Sequence, residues 1–198
     1  MKLLFLHKCP DGGIGRRVGL KHQWCKPCRF DPGSGHQNTL KEIQGYFSFK
    51  IFNLEKIMNK QEKYDRAYLR MALEWAKLSH CKRKKVGAII VKNRMIISDG
   101  YNGTPSGFDN CCEDDNGKTK WYVLHAEANA ILKTAGSTHN CRGGTLYLTI
   151  SPCKECSKLV YQAGIKRVVY INKYSDTSGI DFLREASVEV IEFDRNKL

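Results

Sequence analysis

Four residues in the second half of the chain have the types and spacing to build a catalytic metal site. His125 and Glu127 stand two apart in His125-Ala126-Glu127, and Cys153 and Cys156 stand three apart in Pro152-Cys153-Lys154-Glu155-Cys156. One imidazole and two thiolates, with no axial methionine, suit Zn2+ better than iron or copper, because zinc is redox-inert and takes tetrahedral N/S ligation. Three protein ligands leave the fourth position to water, and bound zinc brings the pKa of that water towards ~7. Glu127 is not needed as a ligand, and beside that water it can take up and return protons. Taken singly, each residue has an ordinary reading. A histidine beside alanines packs into a core, a cysteine pair at helical spacing is buried, and a lone glutamate covers a helix surface. The joint pattern carries the weight, and the chemistry it offers is hydrolytic.

These residues converge only if the surrounding elements bring them together. Tyr64, Tyr68, Met71, Trp75 and Leu78 recur at helical spacing and predict an amphipathic helix over about 61–79. Val86–Val91 and Met95–Ser98 read as strands joined in a hairpin by the polar Lys92-Asn93-Arg94. Residues 100–120, rich in Gly, Asn and Asp, read as loop. A helix is expected from His125 to Ala135, packed through Ala126, Ala128, Ala130, Ile131 and Leu132 and closed near Gly136. Thr145–Ile150 follows as a strand, and Pro152 opens a helix that Gly164 closes. Arg167–Ile171, Gly179–Ala186 and Val188–Ile191 complete the series as strand, helix and strand. The order α-β-β-α-β-α-β-α-β predicts one mixed five-stranded sheet with helices on both faces. The hairpin makes one pair antiparallel, and the later crossovers favour parallel pairing. On this layout His125 opens one helix, while Cys153 and Cys156 share a face in the first turn of the next, where free N–H groups favour thiolate.

Composition narrows the classes. The chain has 198 residues, 41% of them hydrophobic, enough for a packed domain. No apolar run approaches the ~18 residues of a membrane span, and Met1–Leu6 leads into His7-Lys8-Cys9-Pro10 without a signal-peptide pattern, so a cytoplasmic protein with no membrane association is expected. Nine cysteines in that compartment read as thiols and metal ligands rather than a disulfide framework. The net charge of +13 invites a polyanionic partner, but it is spread along the chain, with one local cluster at Lys82-Arg83-Lys84-Lys85. A solvated basic surface and a phosphate-facing patch fit that cluster equally, and nucleic acid is not the expected partner.

Residues 1–57 differ in kind from 58–198. Gly12-Gly13-Ile14-Gly15-Arg16-Arg17 and Asp31-Pro32-Gly33-Ser34-Gly35-His36 are turn-rich, and neither helical nor strand periodicity runs through them. Cys25-Lys26-Pro27-Cys28, with Cys9, His22 and His36 nearby, has zinc-knuckle spacing, but a lone Cys-x-x-Cys is weak. Parts of this stretch read like translated transfer-RNA gene sequence, and Met58 stands just before the first periodic helix. The expectation is an atypical N-terminal extension over 1–57, disordered or a misassigned start, and a zinc-dependent catalytic domain over 58–198.

Over about residues 61–192 the chain resembles the cytidine/deoxycytidylate deaminase superfamily, and within it the deoxycytidylate (dCMP) deaminases. The residues that carry the resemblance are Val86–Val91, Gly100-Tyr101-Asn102-Gly103-Thr104-Pro105-Ser106-Gly107, His125–Ile131 and Leu148–Cys156. The resemblance implies an α/β fold, a three-layer α/β/α sandwich around a central mixed five-stranded sheet. It implies hydrolytic deamination of dCMP to dUMP and ammonia, feeding thymidylate synthesis. His125, Cys153 and Cys156 would hold zinc and Glu127 would be the catalytic proton carrier, serving N3 and the leaving ammonia when water adds at C4. Backbone N–H groups around Cys153 would steady the tetrahedral centre. Asn102 would contact the sugar-phosphate, with Thr104 and Ser106 as neighbours, although Asn102-Gly103 is also a good turn dipeptide. Tyr174, in the loop after the fourth strand, would supply a wall of the substrate site.

Some relatives carry a second, structural zinc, and Cys81 and Cys111 match two of its ligand positions. The histidine such members use has no counterpart here, leaving His80 or Cys112 as substitutes. The resemblance further implies a homo-oligomer and regulation by dCTP and dTTP, with Mg2+ accompanying the nucleotide effector. Two other readings stay open: a deaminase of another cytosine nucleoside, nucleotide or RNA base, and a nucleic-acid-binding module with structural zinc.

Overall fold

A computed structural model describes residues 60–198. The expectations for 1–57, for Met58 and for the Cys25/Cys28 knuckle lie outside the described residues.

A helix over 60–77 (α1) leads into a hairpin of β1 (Gly87–Lys92) and β2 (Met95–Tyr101). Asn93 and Arg94, with φ of 52° and 64°, form its two-residue turn, whose left-handed conformations match the twist of the strands. After a long loop come α2 (Ala126–Lys133), β3 (Thr145–Ile150), α3 (Lys154–Gln162), β4 (Arg167–Asn172), α4 (Ser178–Glu185) and β5 (Glu189–Glu192). The five strands form one sheet in the order β2-β1-β3-β4-β5. β1 is antiparallel to both β2 and β3, and β3, β4 and β5 run parallel. Strand order reverses between β1 and β3, the kind of place where α/β sheets open a crevice.

The period-two geometry of a strand divides the core into two layers. Ala88, Ile90, Leu146, Leu148, Val168 and Tyr170 face Ala126 and Ala130 of α2, Val160 of α3, and Ile180 and Leu183 of α4. Their neighbours Ile89, Val91, Tyr147, Val169 and Ile171 face the opposite way, against Leu69 and Ala72 of α1 and Phe193. A sheet covered on both faces needs apolar residues at consecutive positions, which is why β1, β3 and β4 read as unbroken hydrophobic runs. Leu132, which periodicity groups with the packing residues of α2, is exposed instead.

One polar lock joins the α1 layer to the sheet. Arg167 of β4 grips Asp65 of α1 through two hydrogen bonds, Nη1 to Oδ1 at 2.8 Å and Nη2 to Oδ2 at 2.7 Å. The Tyr147 hydroxyl donates to the same carboxylate at 2.8 Å. Burial pushes the Asp65 carboxyl up, but hydrogen bonds from Arg167, Gln61 and Tyr147 outweigh it and hold the group below its usual range. Among the described residues, no helix is long and apolar enough to cross a membrane.

Candidate metal and substrate site

His125 and Cys153 occupy equivalent places, each the N-cap residue of its helix, α2 and α3. Both have extended backbones and neither side chain caps its helix, which leaves the imidazole and the thiol free to point into the space between the helix starts. Cys156 sits one turn into α3. Gly100 of β2 makes the placement of α2 feasible, because a Cβ there would lie 2.5 Å from the Ala126 carbonyl oxygen and 2.6 Å from the Ala130 nitrogen. Asn129 donates to the Tyr101 carbonyl at 3.0 Å and Ser98 to the Ala130 carbonyl, so α2 is pinned along β2.

The donor set fits zinc. His125 Nδ1 lies 3.5 Å from Cys153 Sγ and 3.4 Å from Cys156 Sγ. Zn–N and Zn–S bonds at the tetrahedral angle require an N···S separation of about 3.6 Å. Among the described residues, these three are the one cluster of His, Cys, Asp or Glu arranged to hold a metal. A hydrogen bond from Cys156 lowers the Cys153 thiol to about 3, and contacts with His125 add to the shift, so Cys153 carries the negative charge of the pair. The Cys153 thiolate in turn raises Cys156, and burial adds to the effect. A hydrogen bond to Cys153 also raises His125. Glu127 is 4% exposed, and burial pushes its carboxyl up to about 7.

The cluster opens on a cavity whose walls include Asn102, Arg83, Lys84, Glu113, Ser151 and Tyr174. Asn102 shapes this wall, since its Oδ1 accepts from the Val86 N–H at 2.8 Å and its Nδ2 donates to the Lys84 carbonyl at 2.8 Å. One amide hydrogen and one oxygen lone pair remain for a ligand. Tyr174 is fixed opposite, its N–H donating to Ser151 Oγ at 2.8 Å, and the Lys84 ammonium stands 4.8 Å from its ring centroid.

His125, Glu127, Cys153, Asn102 and Tyr174 thus share one cavity, and Cys156 completes the ligand cluster beside it. Thr104 and Ser106 do not join them. Gly103 and Leu124 exchange two backbone hydrogen bonds, 3.1 and 2.8 Å, and the loop beyond Gly103 lines a separate cavity with His80, Phe108, Asn110 and Lys133. The candidate ligands of a second zinc are not brought together either. Cys81 and Cys112, 5.1 Å apart at Cα, are joined as a disulfide, contrary to the expectation that every cysteine is a free thiol or a metal ligand. Cys111 is exposed with its thiol 3.3 Å from the Glu113 carbonyl, and His80 is exposed on the other cavity. Among the cavity residues, Arg83 and Lys84 were visible in sequence only as part of a basic cluster, and Glu113 carried no signal within the acidic run Glu113-Asp114-Asp115.

Residues 62–172 match the model of the cytidine and deoxycytidylate deaminase zinc-binding region, and the chain belongs to that family. It is similar to the deoxycytidylate deaminase of Enterobacteria phage T4, 34% identical over 163 residues that span 61% of this chain and 84% of that protein. The human deoxycytidylate deaminase is 37% identical over 123 residues, 56% of this chain and 66% of that protein. The crystal structure of dCMP deaminase from the cyanophage S-TIM5, in complex with dCMP and dUMP, superposes with a TM-score of 0.64 at 50% identity, covering 65% of this chain and 95% of that one.

Proposed function

We propose that this chain is a zinc-dependent hydrolase that deaminates dCMP to dUMP and ammonia, the supply of dUMP for thymidylate synthesis. The observation that carries the reading is a single cavity lined by His125 and Cys153 of the ligand cluster, the buried Glu127 and the cations Arg83 and Lys84. When bound, zinc supplies a water polarised towards hydroxide at neutral pH. Glu127, with its carboxyl near 7, is suited to accept a proton, deliver it to N3 of the ring and assist the leaving ammonia. The α3 N-terminus presents backbone N–H groups beside Cys153 to the developing charge. Tyr174 walls the base, Asn102 keeps hydrogen-bonding capacity for the sugar, and Arg83 and Lys84 suit a 5′-phosphate.

The catalytic unit in this reading is 58–198, a span supported by the family match over 62–172 and the described fold over 60–198. One zinc per chain is the reading the cysteines support, because the Cys81–Cys112 bond occupies two of the four candidate ligands of a second ion. Two zinc ions per purified chain would overturn it. The effectors dCTP and dTTP, carried with Mg2+, suit the second cavity, where Thr104, Ser106 and Asn110 offer hydrogen bonds beside Lys133, whose ammonium is paired with Asp99 at 2.8 Å. A homo-oligomer, checked by light scattering, completes the reading, and a cytoplasmic location, checked by fractionation, requires the Cys81–Cys112 bond to persist against a reducing cytosol.

Steady-state turnover of dCMP, deoxycytidine and CMP tests the substrate. The reading expects dCMP to be preferred and Lys84→Ala to penalise dCMP more than deoxycytidine. Equal use of deoxycytidine, or activity surviving in Glu127→Ala, would refute it.

A further inference from the structure

Among the described residues, two buried side-chain polar atoms lack a hydrogen-bond partner, Ser157 Oγ and Glu113 Oε2. Glu113 is the one on the wall of the zinc cavity. The residue is 7% exposed, and its other carboxylate oxygen, Oε1, is held by the backbone N–H groups of Lys82 and Arg83 at 2.9 and 3.2 Å. That anchor fixes the carboxylate at the root of the segment carrying Arg83 and Lys84, and Asn102 fixes the same segment further along, at Lys84 and Val86. A buried carboxylate oxygen with empty lone pairs calls for a donor, and a ligand in the cavity can bring one.

We propose that Glu113 is a specificity residue that accepts a hydrogen bond from the sugar 3′-hydroxyl of the substrate, and so restricts the enzyme to free mononucleotides. The inference rests on the dCMP reading and goes beyond it. dCMP offers two kinds of donor, the cytosine amino group and one sugar hydroxyl. The amino group is the leaving group and belongs at the metal and Glu127. The phosphate is an acceptor that an anion repels, and the cations on the same wall suit it. The hydroxyl is the donor that remains. In a polynucleotide the 3′-oxygen is esterified: it has no proton to give and brings a phosphodiester charge towards Glu113. One carboxylate thereby selects for the monomer and against nucleic acid, in spite of the net charge of +13.

The test compares kcat/KM for dCMP, 2′,3′-dideoxycytidine 5′-monophosphate and deoxycytidine 3′,5′-bisphosphate, using the full zinc-loaded chain and Glu113→Gln. Glutamine keeps an oxygen for the Lys82 and Arg83 N–H groups and puts an amide donor where Oε2 stands. The wild type is expected to lose on the order of 10–100-fold on the dideoxy compound, the scale of one hydrogen bond to a charged group. It is expected to lose more on the bisphosphate. In Glu113→Gln the dCMP-to-dideoxy ratio should collapse to within about threefold, chiefly through KM, and the bisphosphate should gain relative to dCMP. Glu113→Asp keeps the charge but withdraws it by one methylene, and it gives the same readout with an intermediate ratio should the glutamine variant not fold. Equal use of dCMP and the dideoxy compound by the wild type overturns the proposal without any variant. Ratios unchanged by both substitutions overturn it equally. Absence of dCMP turnover in the wild type is a different failure, which removes the parent reading and this one with it.

Discussion

Replacing Gly100 with alanine tests whether the sheet itself sets the geometry of the metal site. The added Cβ would stand 2.5 Å from the Ala126 carbonyl oxygen, 2.6 Å from the Ala130 nitrogen and 3.1 Å from the Ala130 Cα. All three are backbone atoms of α2, so no flexible side chain can swing aside. Restoring an ordinary contact of 3.4 Å moves α2 away from β2 by about 0.9 Å. Its first residues follow His125 directly and include Glu127. The His125 Nδ1–Sγ separations of 3.5 and 3.4 Å already suit zinc, and coordination distances tolerate only about ±0.2 Å. A displacement near 1 Å at reacting groups costs on the order of 10²-fold in rate, and overpacking costs about 1–3 kcal/mol of stability. Three measurements follow: kcat/KM on dCMP, zinc bound per chain, and the urea midpoint. Gly136→Ala is the control, since a Cβ there meets nothing within 4 Å. Gly100→Ala with full zinc, wild-type stability and kcat/KM within about twofold would show that α2 is not held by this contact.

Glu127→Gln should keep its zinc but lose about 10²–10⁴-fold in kcat, the usual range for a lost general acid–base, and metal analysis beside turnover checks both halves. Removing zinc with a chelator should abolish turnover while far-UV circular dichroism persists, because both core layers are built from side chains that do not touch the metal; zinc added back should restore the rate. Arg167→Met strands a buried carboxylate, so it should cost about 3–5 kcal/mol in urea unfolding while activity per folded molecule is kept. The same lock has a pH signature. The folded Asp65 carboxyl is held below its unfolded value near 3.8, so its contribution is complete above that value and is lost as pH falls through the lower folded one. Wild-type stability should therefore drop steeply below about pH 4, and Arg167→Met should flatten that limb.

Local chemistry was legible in the sequence, and long-range enclosure was not. β3 was predicted at Thr145–Ile150 and lies there, because a short β-branched and aromatic run between turns can do little else. The boundaries of α1, α3 and α4 shift by one or two residues, the usual ambiguity of helix ends. The metal cluster was readable because its ligands open two helices, so spacing alone converts into shared position. The substrate walls depend instead on which loop folds over which. Nothing local to Lys82-Arg83-Lys84-Lys85 says that Glu113 and Asn102, 30 and 18 residues away from their partners in it, will tie two of its cations to the cavity. The separation of Thr104 and Ser106 from the cavity of Asn102 has the same cause. Their distance from Asn102 along the chain is short, but the Gly103–Leu124 bridge turns them to another face. The Cys81–Cys112 bond spans 31 residues and depends on the same folding-over of the loop.

The site also answers a problem that the fold creates. α2 and α3 bring their N-termini together, and two positive helix ends that face each other repel unless negative charge lies between them. Neither N-cap side chain caps its own helix. The space between the two helix starts holds the sulfurs instead, with His125 Nδ1 3.5 Å from Cys153 Sγ and 3.4 Å from Cys156 Sγ. The Cys153 thiolate therefore places negative charge where both helix dipoles favour it. Burial raises the Glu127 carboxyl and the neighbouring Cys153 thiolate adds to that, against its own backbone N–H and the His125 charge, which favour giving up the proton. Metal affinity and proton transfer are thus set by one pair of helix starts. A substitution that improves either helix cap at the expense of His125 or Cys153 must weaken the chemistry as it strengthens the fold.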